Sequence, residues 1–202
     1  MNLHPFLVVV LSYLVGSIPF GVILGSRIAG LDIRKHGSGN IGATNVLRTL
    51  GLLFALCTFA LDTGKGAFAF WLAHVSGLSP AWTAAAGAAA VAGHNWPLVL
   101  RLRGGKGIAT TFGFIVFAMP SVGIVLAAVW LAVIVICRYA SVASMLSVAS
   151  SPIAAFLAGY PREYIIVCLL LALSAVVRHV SNIRRLANGT ENKFEKKSPA
   201  QS

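Results

Sequence analysis

The chain contains several apolar stretches that carry no charge and are long enough to cross a bilayer. A membrane-spanning α-helix needs about 20 consecutive apolar residues, because the hydrocarbon core is about 30 Å thick. Residues 5–26 meet this requirement without a charged side chain. A backbone inside lipid must satisfy its own hydrogen bonds, which an α-helix does within one segment. The sequence therefore predicts an all-α integral membrane protein.

The scarcity of charge supports the same fold class. The chain is 57% hydrophobic and only 10% charged, whereas a soluble domain carries about 25% charged residues. Its net charge is +11, from 16 Lys and Arg against 5 Asp and Glu. The basic residues cluster at the ends of apolar stretches, as in cytoplasmic loops of membrane proteins. We therefore expect no nucleic-acid partner.

The uncharged stretch 108–137 is too long for one comfortable span and short for two. Arg103 and Lys106 precede it, and Arg138 follows it. If both ends are cytoplasmic, the stretch is a hairpin, and the sequence Met119-Pro120-Ser121 supplies its turn. This assignment splits the stretch into spans 108–118 and 121–136.

The complete assignment has seven spans, namely 5–26, 51–73, 81–100, 108–118, 121–136, 141–158 and 163–177. With the N-terminus outside and the C-terminus inside, Arg162 lies outside and Lys65 is embedded. The other fourteen basic residues then lie on the inner side: Arg27, Arg34, Lys35, Arg48, Arg101, Arg103, Lys106, Arg138, Arg178, Arg184, Arg185, Lys193, Lys196 and Lys197. This asymmetry favours the seven-span topology. We expect residues 1–187 to form one membrane domain, and residues 188–202 to form a polar cytoplasmic tail that frays from Asn188.

A run of small polar residues on the inner side resembles an anion-binding loop. It reads Gly37, Ser38, Gly39, Asn40, Ile41, Gly42, Ala43, Thr44 and Asn45, and Arg48 follows. Glycines let backbone N–H groups turn toward an anion. Thr44 or Asn45 could cap a short helix whose N-terminus adds partial positive charge, and Arg48 supplies a bidentate fork. The alternative is a merely flexible loop.

The second inner cluster contains Gly104, Gly105, Lys106 and Gly107. It is not a Walker loop, because Leu100 stands where the first glycine should be and Gly107 where Ser or Thr should follow. A positive-inside loop would explain Lys106 equally well, but the flanking glycines favour a phosphate contact.

The remaining polar residues have competing explanations. His179 and Asn182 share one helix face and are catalytic candidates, although a solvated helix end would look the same. His94 either does chemistry or satisfies a local hydrogen bond. Asp62 and Lys65 lie inside a span, where charges are expensive, and we interpret them mainly as a structural pair.

Taken together, these motifs resemble the bacterial acyl-phosphate:glycerol-3-phosphate acyltransferase family over essentially the whole chain. The resemblance depends on residues 37–45 with Arg48, 93–97 with 104–107, and 178–186, supported by 61–66 and 138–144. It implies a seven-helix inner-membrane enzyme that is active at the cytoplasmic face. The enzyme would transfer a fatty acyl group from acyl phosphate to the 1-hydroxyl of sn-glycerol 3-phosphate. The products would be lysophosphatidic acid and phosphate, in the first acylation of phospholipid synthesis, without direct use of acyl-CoA or acyl-carrier protein.

The expected mechanism is direct transfer, since an acyl phosphate is already a mixed anhydride and no cysteine or Gly-x-Ser-x-Gly elbow indicates an acyl-enzyme. The catalytic candidates are Ser38, Arg48, Lys106, His179 and Asn182. The substrate-binding candidates are Gly37, Gly39, Asn40, Thr44, Asn45, Gly104, Gly105, Ser141 and Ser144. The proton acceptor is either His179 or, as we favour slightly, a phosphate oxygen.

The expected partners are acyl phosphate, glycerol 3-phosphate and membrane lipid. No obligate protein partner is evident, and we expect no cofactor and no metal, because the carboxylates are few and scattered. Two other classes remain open. A transporter for an organic phosphate would need similar loops, although its site would lie near the midplane between repeats. A scaffold for anionic headgroups would explain the charge but not the ordered Gly, Asn and Thr positions.

Overall fold

The computed structural model describes residues 3–194, and within that range it is built from helices without a strand. Its ten α-helices are α1 (Pro5–Gly16), α2 (Phe20–Ile23), α3 (Ala43–Leu50), α4 (Leu52–Val75), α5 (Pro80–Asn95), α6 (Ile108–Ala118), α7 (Pro120–Cys137), α8 (Ala140–Leu157), α9 (Arg162–Arg178) and α10 (Val180–Ala187). A π-helical segment, Leu24–Ile28, continues α2, and short 3₁₀ turns occupy Ile33–Lys35 and Leu98–Leu100. The all-α prediction is confirmed.

Four helical stretches in this range are long and apolar enough to cross a membrane: Pro5–Ile28, α4, α7 and α8. The helix α9 continues into α10 after a bend of 55°, and this pair would make a fifth span. The helices α5 and α6 have only 16 and 11 residues. By length alone, the described residues therefore support four or five spans rather than seven.

The predicted break within the stretch 108–137 is confirmed. The helix α6 ends at Ala118, and α7 begins at Pro120, so that Met119 alone separates them. Proline at the first helical position has its φ angle pre-set for a helix and lacks only an N–H that would be unpaired there. The turn is therefore encoded in the chain rather than imposed by distant contacts.

The predicted third span is too long. The expected range was 81–100, but α5 ends at Asn95. Trp96 leaves the helical region with φ −133° and ψ 62°, and Pro97 follows it. A residue before proline is pushed toward extended conformations, which stops the helix. After this early end the chain folds back, so that the N–H groups of Gly104 and Gly105 donate to the carbonyls of Asn95 and His94.

Small residues bring the helices close together. A Cβ atom on Gly113 would collide with the backbone of Thr63, and one on Gly66 would collide with the carbonyl of Thr110, so α4 and α6 pack backbone to backbone. Close approach through small residues is the usual packing mode between helices in membranes. Large apolar side chains cover the outside instead, among them Val135 and Ile136, which are 75% and 78% exposed.

Candidate functional site

A cavity of about 150 Å³ with both polar and apolar residues in its lining lies where the ends of several helices meet. It is called the main cavity below. The structure brings ten of the predicted site residues to its lining: Ser38, Asn40, Thr44, Asn45, Arg48, Lys106, Ser141, Ser144, His179 and Asn182. These residues come from distant parts of the chain, and all five catalytic candidates are among them.

The loop before α3 is held by the side chain of Asn45, which is 1% exposed. Its Oδ1 accepts a hydrogen bond from the Ser38 N–H at 2.8 Å, and its Nδ2 donates to the Asn40 carbonyl at 2.8 Å. The same Nδ2 lies 3.1 Å from the carbonyls of Ile33 and His36. These bonds exclude the flexible-loop alternative, and they occupy the Asn45 amide, so that its role is to shape the loop.

The expected helix follows this loop, but its cap is not the predicted one. Gly42 is the N-cap of α3 and makes no side-chain capping bond, whereas Thr44 and Asn45 lie inside the first turn. Gly42 and Thr44 both line the main cavity, so the N-terminus of α3 borders it. The partial positive charge at a helix N-terminus therefore adds to that of Arg48 beside the cavity.

The glycines Gly104 and Gly105 do not present their amides to the main cavity. The N–H of Gly104 donates to the Asn95 carbonyl at 3.2 Å, and that of Gly105 donates to the His94 carbonyl at 3.0 Å. Their own carbonyls accept from the Arg178 guanidinium at 2.8 and 2.9 Å. A Cβ atom on Gly105 would collide with the His94 ring. Glycine is thus needed here for close packing, which corrects the expected phosphate contact through these N–H groups.

Gly37 and Gly39 also lie outside the main cavity lining. Both have left-handed backbones, with φ of 61° and 70°, a conformation that glycine adopts without steric cost. Gly37 lines a neighbouring cavity with Arg48 and Glu191, and Gly39 lines cavities on the other side of the loop. Their turns set the course of the loop that places Ser38.

Lys106 enters the main cavity just before α6, and its ammonium donates a hydrogen bond to Asn182 Oδ1. Burial lowers the pKa of Lys106 to about 8, an effect that the Glu191 carboxylate opposes and nearby guanidinium groups reinforce. Burial disfavours the charged form of an amine because the ammonium loses hydration. At pH 7 most of the Lys106 population still carries its charge.

His179 lies at the joint between α9 and α10 and is 2% exposed. Its Nδ1 is 2.7 Å from the Ala175 carbonyl, so Nδ1 carries the proton and Nε2 is left as an acceptor. Burial and the adjacent Lys106 charge lower the pKa of His179 to about 4. The imidazole is therefore neutral at pH 7, with its orientation and tautomer set by one backbone bond.

The predicted pair of buried charges is confirmed and includes a third member. Lys65 Nζ is 2.7 Å from Asp62 Oδ1, and both side chains are at most 3% exposed. His94 Nδ1 lies 3.2 Å from Lys65 Nζ and 3.6 Å from Asp62 Oδ1. The unpaired charge of either partner would be costly at this depth. Asp62 and His94 also line the main cavity, so two members of this triad belong to its lining.

One side of the main cavity is apolar. It is formed by Phe59 on α4, Ile108 and Ala109 on α6, and Trp130 on α7. The Trp130 indole donates to Ser144 Oγ at 3.3 Å, which joins this side to the polar lining. Phe59 is 43% exposed, so the apolar side reaches the outer surface of the helix bundle. The arrangement can accommodate a molecule with an anionic head and an apolar tail.

The family model for glycerol-3-phosphate acyltransferase matches residues 6–189 of this chain, nearly its full length. The chain belongs to this family. Relatives of the same name include the protein of Desulforudis audaxviator, which is 46% identical over 188 residues, 93% of this chain and 94% of the relative. The protein of Alkaliphilus metalliredigens is 43% identical over 192 residues, 95% of this chain and 97% of the relative.

Two solved structures share the fold of this acyltransferase. A crystal structure of PlsY (YgiH), an integral membrane glycerol 3-phosphate acyltransferase in its glycerol 3-phosphate form, matches with a TM-score of 0.90 and 36% identity. It covers 95% of this chain and 96% of that chain. The lysophosphatidic acid form of PlsY matches with a TM-score of 0.88 and 35% identity, with 95% of each chain covered. The acyltransferase is therefore a bacterial membrane protein with this helical fold.

Sequence reasoning missed Glu191 in the site of the acyltransferase. Its carboxylate accepts hydrogen bonds from Ser141 Oγ at 2.8 Å, Asn182 Nδ2 at 2.6 Å and Arg185 Nε at 2.7 Å. Burial raises the pKa of the Glu191 carboxyl, but these hydrogen bonds and the Arg185 charge outweigh it and leave the pKa lowered. The available signal was a single acid that follows Arg184 and Arg185 in an otherwise polar segment.

The segment after α10 is not frayed in the described range. Arg48 Nη2 donates to the Asn192 carbonyl at 3.1 Å, and the N–H of Phe194 donates to the Arg138 carbonyl at 2.6 Å. The expectation that the chain frays from Asn188 is therefore wrong up to Phe194. Lys196 and Lys197, which were assigned to the inner side, lie outside the described residues.

Proposed function

We propose that this acyltransferase moves a fatty acyl group from acyl phosphate to the 1-hydroxyl of sn-glycerol 3-phosphate. The products are lysophosphatidic acid and inorganic phosphate. The observation that carries this proposal is the composition of the main cavity, whose lining combines the cations Arg48 and Lys106 with the apolar residues Phe59 and Trp130. Both proposed substrates carry phosphate and one carries an acyl chain, so a reaction between them needs both kinds of surface in one cavity.

The transfer is direct. The substrate hydroxyl oxygen attacks the acyl carbonyl carbon, the new ester C–O bond forms, and the bond between that carbon and the phosphate oxygen breaks. The leaving group is phosphate, so the enzyme mainly positions the reactants and stabilises charge on the carbonyl oxygen. No cysteine among residues 3–194 lines the main cavity, since Cys57 and Cys137 are exposed elsewhere and Cys168 is buried. This supports a reaction without an acyl-enzyme.

The hydroxyl proton passes to a phosphate oxygen. A phosphate monoester has its second pKa near 6, about two units above the pKa of about 4 for His179. His179 is consequently the weaker base. Its Nε2 is suited to accept a hydrogen bond from the substrate hydroxyl and so orient the attacking oxygen.

The proposed roles of the other residues follow from their contacts. Ser38, Arg48 and Lys106 hold phosphate, and Asn182 positions the Lys106 ammonium. Asn40, Thr44, Ser141 and Ser144 line the substrate space. Asn45 and the four glycines at 37, 39, 104 and 105 act by holding the loops in place.

We propose the seven-span topology for the inner membrane, with the N-terminus outside and the main cavity facing the cytoplasm. The short helices α5, α6 and α9 are then the third, fourth and seventh spans. The basic residues support this orientation, because they flank the helix ends that surround the cavity. The division of the chain at residue 187 into membrane domain and cytoplasmic tail belongs to the same proposal.

The donor is tested with purified protein in a neutral detergent, labelled glycerol 3-phosphate and either palmitoyl phosphate or palmitoyl-CoA. The proposal predicts labelled 1-acyl lysophosphatidic acid from palmitoyl phosphate and none from palmitoyl-CoA. Product from palmitoyl-CoA alone, or acylation of the 2-hydroxyl, would contradict it.

A further inference from the structure

Two further cavities lie beside the main cavity of the acyltransferase and share lining residues with it or with each other. The first, called the side cavity, has a volume of about 340 Å³ and is lined by Ser38, Gly39, Asn40, Lys106, Val177, Arg178, Ser181 and Arg185. It shares Ser38, Asn40 and Lys106 with the main cavity. The second, called the outer cavity, measures about 770 Å³ and shares Gly39 and Arg178 with the side cavity. The three cavities are therefore consecutive.

The outer and side cavities are strongly basic. Arg34, Arg101, Arg103 and Arg178 line the outer one, and Lys106, Arg178 and Arg185 line the side one, while no acidic residue lines either among the described residues. Most of these cations are engaged. Arg34 pairs with Asp32 at 2.9 Å, Arg185 pairs with Glu191 at 2.7 Å, and Arg178 holds the Gly104 and Gly105 carbonyls.

Arg101 and Arg103 differ from the other cations. Both are exposed, and neither side chain has a hydrogen bond or ion pair within residues 3–194. The backbone that presents them is strained, since Arg101 and Leu102 have φ values of 51° and 63° without being glycine. Such conformations cost energy and persist only where the surroundings enforce them. Two unpaired positive charges, those of Arg101 and Arg103, therefore line the outer cavity.

We propose that the outer and side cavities are the entry path of the water-soluble substrate, along which Arg101 and Arg103 attract its phosphate toward Lys106. This inference rests on the proposed function and adds a route to it. Clefts lined by one sign of charge raise the local concentration of oppositely charged ligands. Glycerol 3-phosphate is mostly a dianion above pH 6. In this proposal the acyl donor uses a different route. It approaches from the membrane along the apolar residues of the main cavity, of which Phe59 is partly exposed at the surface of the helix bundle.

The electrostatic part is tested with the double variant Arg101→Gln/Arg103→Gln in uncharged detergent. At about 10 mM salt, where the screening length is about 30 Å, kcat/KM for glycerol 3-phosphate falls about fivefold, with kcat unchanged. At about 1 M salt the difference from the unmodified enzyme disappears. The constants for acyl phosphate stay the same. Arg27→Gln is the matched control, because Arg27 is exposed but lines none of the three cavities.

The steric part is tested with Ser181→Trp, which places a bulky ring in the lining of the side cavity. Ser181 is exposed on α10, and so is Ala187, which lines none of the three cavities. Ser181→Trp lowers kcat/KM for glycerol 3-phosphate at least threefold and leaves that for acyl phosphate unchanged, whereas Ala187→Trp changes neither. Thermal unfolding in detergent confirms that both variants are folded.

The route is wrong if the double arginine variant keeps the salt dependence of the unmodified enzyme, or if Ser181→Trp affects both substrates equally. It is also wrong if the arginine substitutions act only in vesicles that contain anionic lipid, since the charges would then serve lipid headgroups. These outcomes differ from failure of the proposed function, in which the unmodified protein forms no lysophosphatidic acid from acyl phosphate.

Discussion

Lys106 and His179 line the same cavity but are in different protonation states at neutral pH. Burial lowers the pKa of both, to about 8 for Lys106 and to about 4 for His179. At pH 7 Lys106 therefore carries an ammonium group and His179 a neutral imidazole. The first is suited to phosphate and the second to accepting a hydrogen bond from a hydroxyl, and no change of protonation is needed on binding.

The charge of Lys106 sets an alkaline limit on activity. Because the protonated form binds phosphate and the pKa is about 8, kcat/KM falls as the pH rises through about 8. Lys106→Arg moves this decline to higher pH, since a guanidinium keeps its proton above pH 12. Lys106→Ala lowers turnover at least about 100-fold while the protein stays folded. Near-normal activity of Lys106→Ala would refute the assignment.

Glu191 is expected to act on Lys106 through charge. The Glu191 carboxylate raises the pKa of Lys106, so Glu191→Gln lowers that pKa further and shifts the alkaline decline of kcat/KM to lower pH. Glu191→Ala also leaves Asn182 and Ser141 without their acceptor, which costs about 1–3 kcal/mol of stability for an unsatisfied buried group. A pH profile of Glu191→Gln identical to that of the unmodified enzyme would mean that Glu191 has only a structural role.

At the level of residues, the sequence predicted which residues would line a polar site. Runs of Gly, Ser, Asn and Arg between apolar segments indicate a polar site, since they are not needed for an apolar core. The sequence did not predict which hydrogen-bonding groups remain available to a ligand. Asn45 and Gly104 were expected at the ligand, but their hydrogen-bonding groups are used within the protein. Glu191 was missed because its partners lie on α8 and α10, a contact with no local pattern.

The helices of the acyltransferase are arranged by short sequence signals and by close packing. Pro97 ends α5 early and Pro120 starts α7, and both effects follow from the geometry of proline. The end of α5 was nevertheless placed five residues late, because hydropathy continues through Leu98 and Val99. Those residues form an exposed 3₁₀ turn outside the helix.

The contact between α4 and α6 provides a test at the level of elements. A Cβ atom on Gly113 would collide with the Thr63 backbone, so Gly113→Ala forces the two helices apart and lowers the free energy of unfolding by at least about 1–3 kcal/mol. Gly64→Ala on α4 is the matched control, since nothing lies within 4 Å of its added carbon. Thermal unfolding in detergent measures both. Equal stability of the two variants would contradict the packing described.

The topology of the whole molecule is the number and direction of its membrane-spanning helices. Length alone supports four or five spans, because α5, α6 and α9 are shorter than a bilayer normally requires. The proposed seven spans rest on the charge asymmetry, which was available from the sequence. The convergence of distant loops on one cavity was not, since it depends on how the short helices pack.

The seven-span orientation predicts which cysteines a membrane-impermeant reagent reaches in intact cells. In a background with Cys57 and Cys137 replaced by alanine, Arg162→Cys is labelled directly, because Arg162 is exposed and is the first residue of α9, at the end that faces outward in this orientation. Arg184→Cys is labelled only after permeabilisation. The reverse pattern, or labelling of both in intact cells, would exclude this orientation.

The central claim is that both substrates occupy the main cavity at the same time and react directly. Initial rates with acyl phosphate and glycerol 3-phosphate varied together test it most directly. Direct transfer requires both substrates bound, so double-reciprocal plots intersect. Parallel lines, which indicate that phosphate leaves before glycerol 3-phosphate binds, would contradict the claim by requiring an acyl-enzyme.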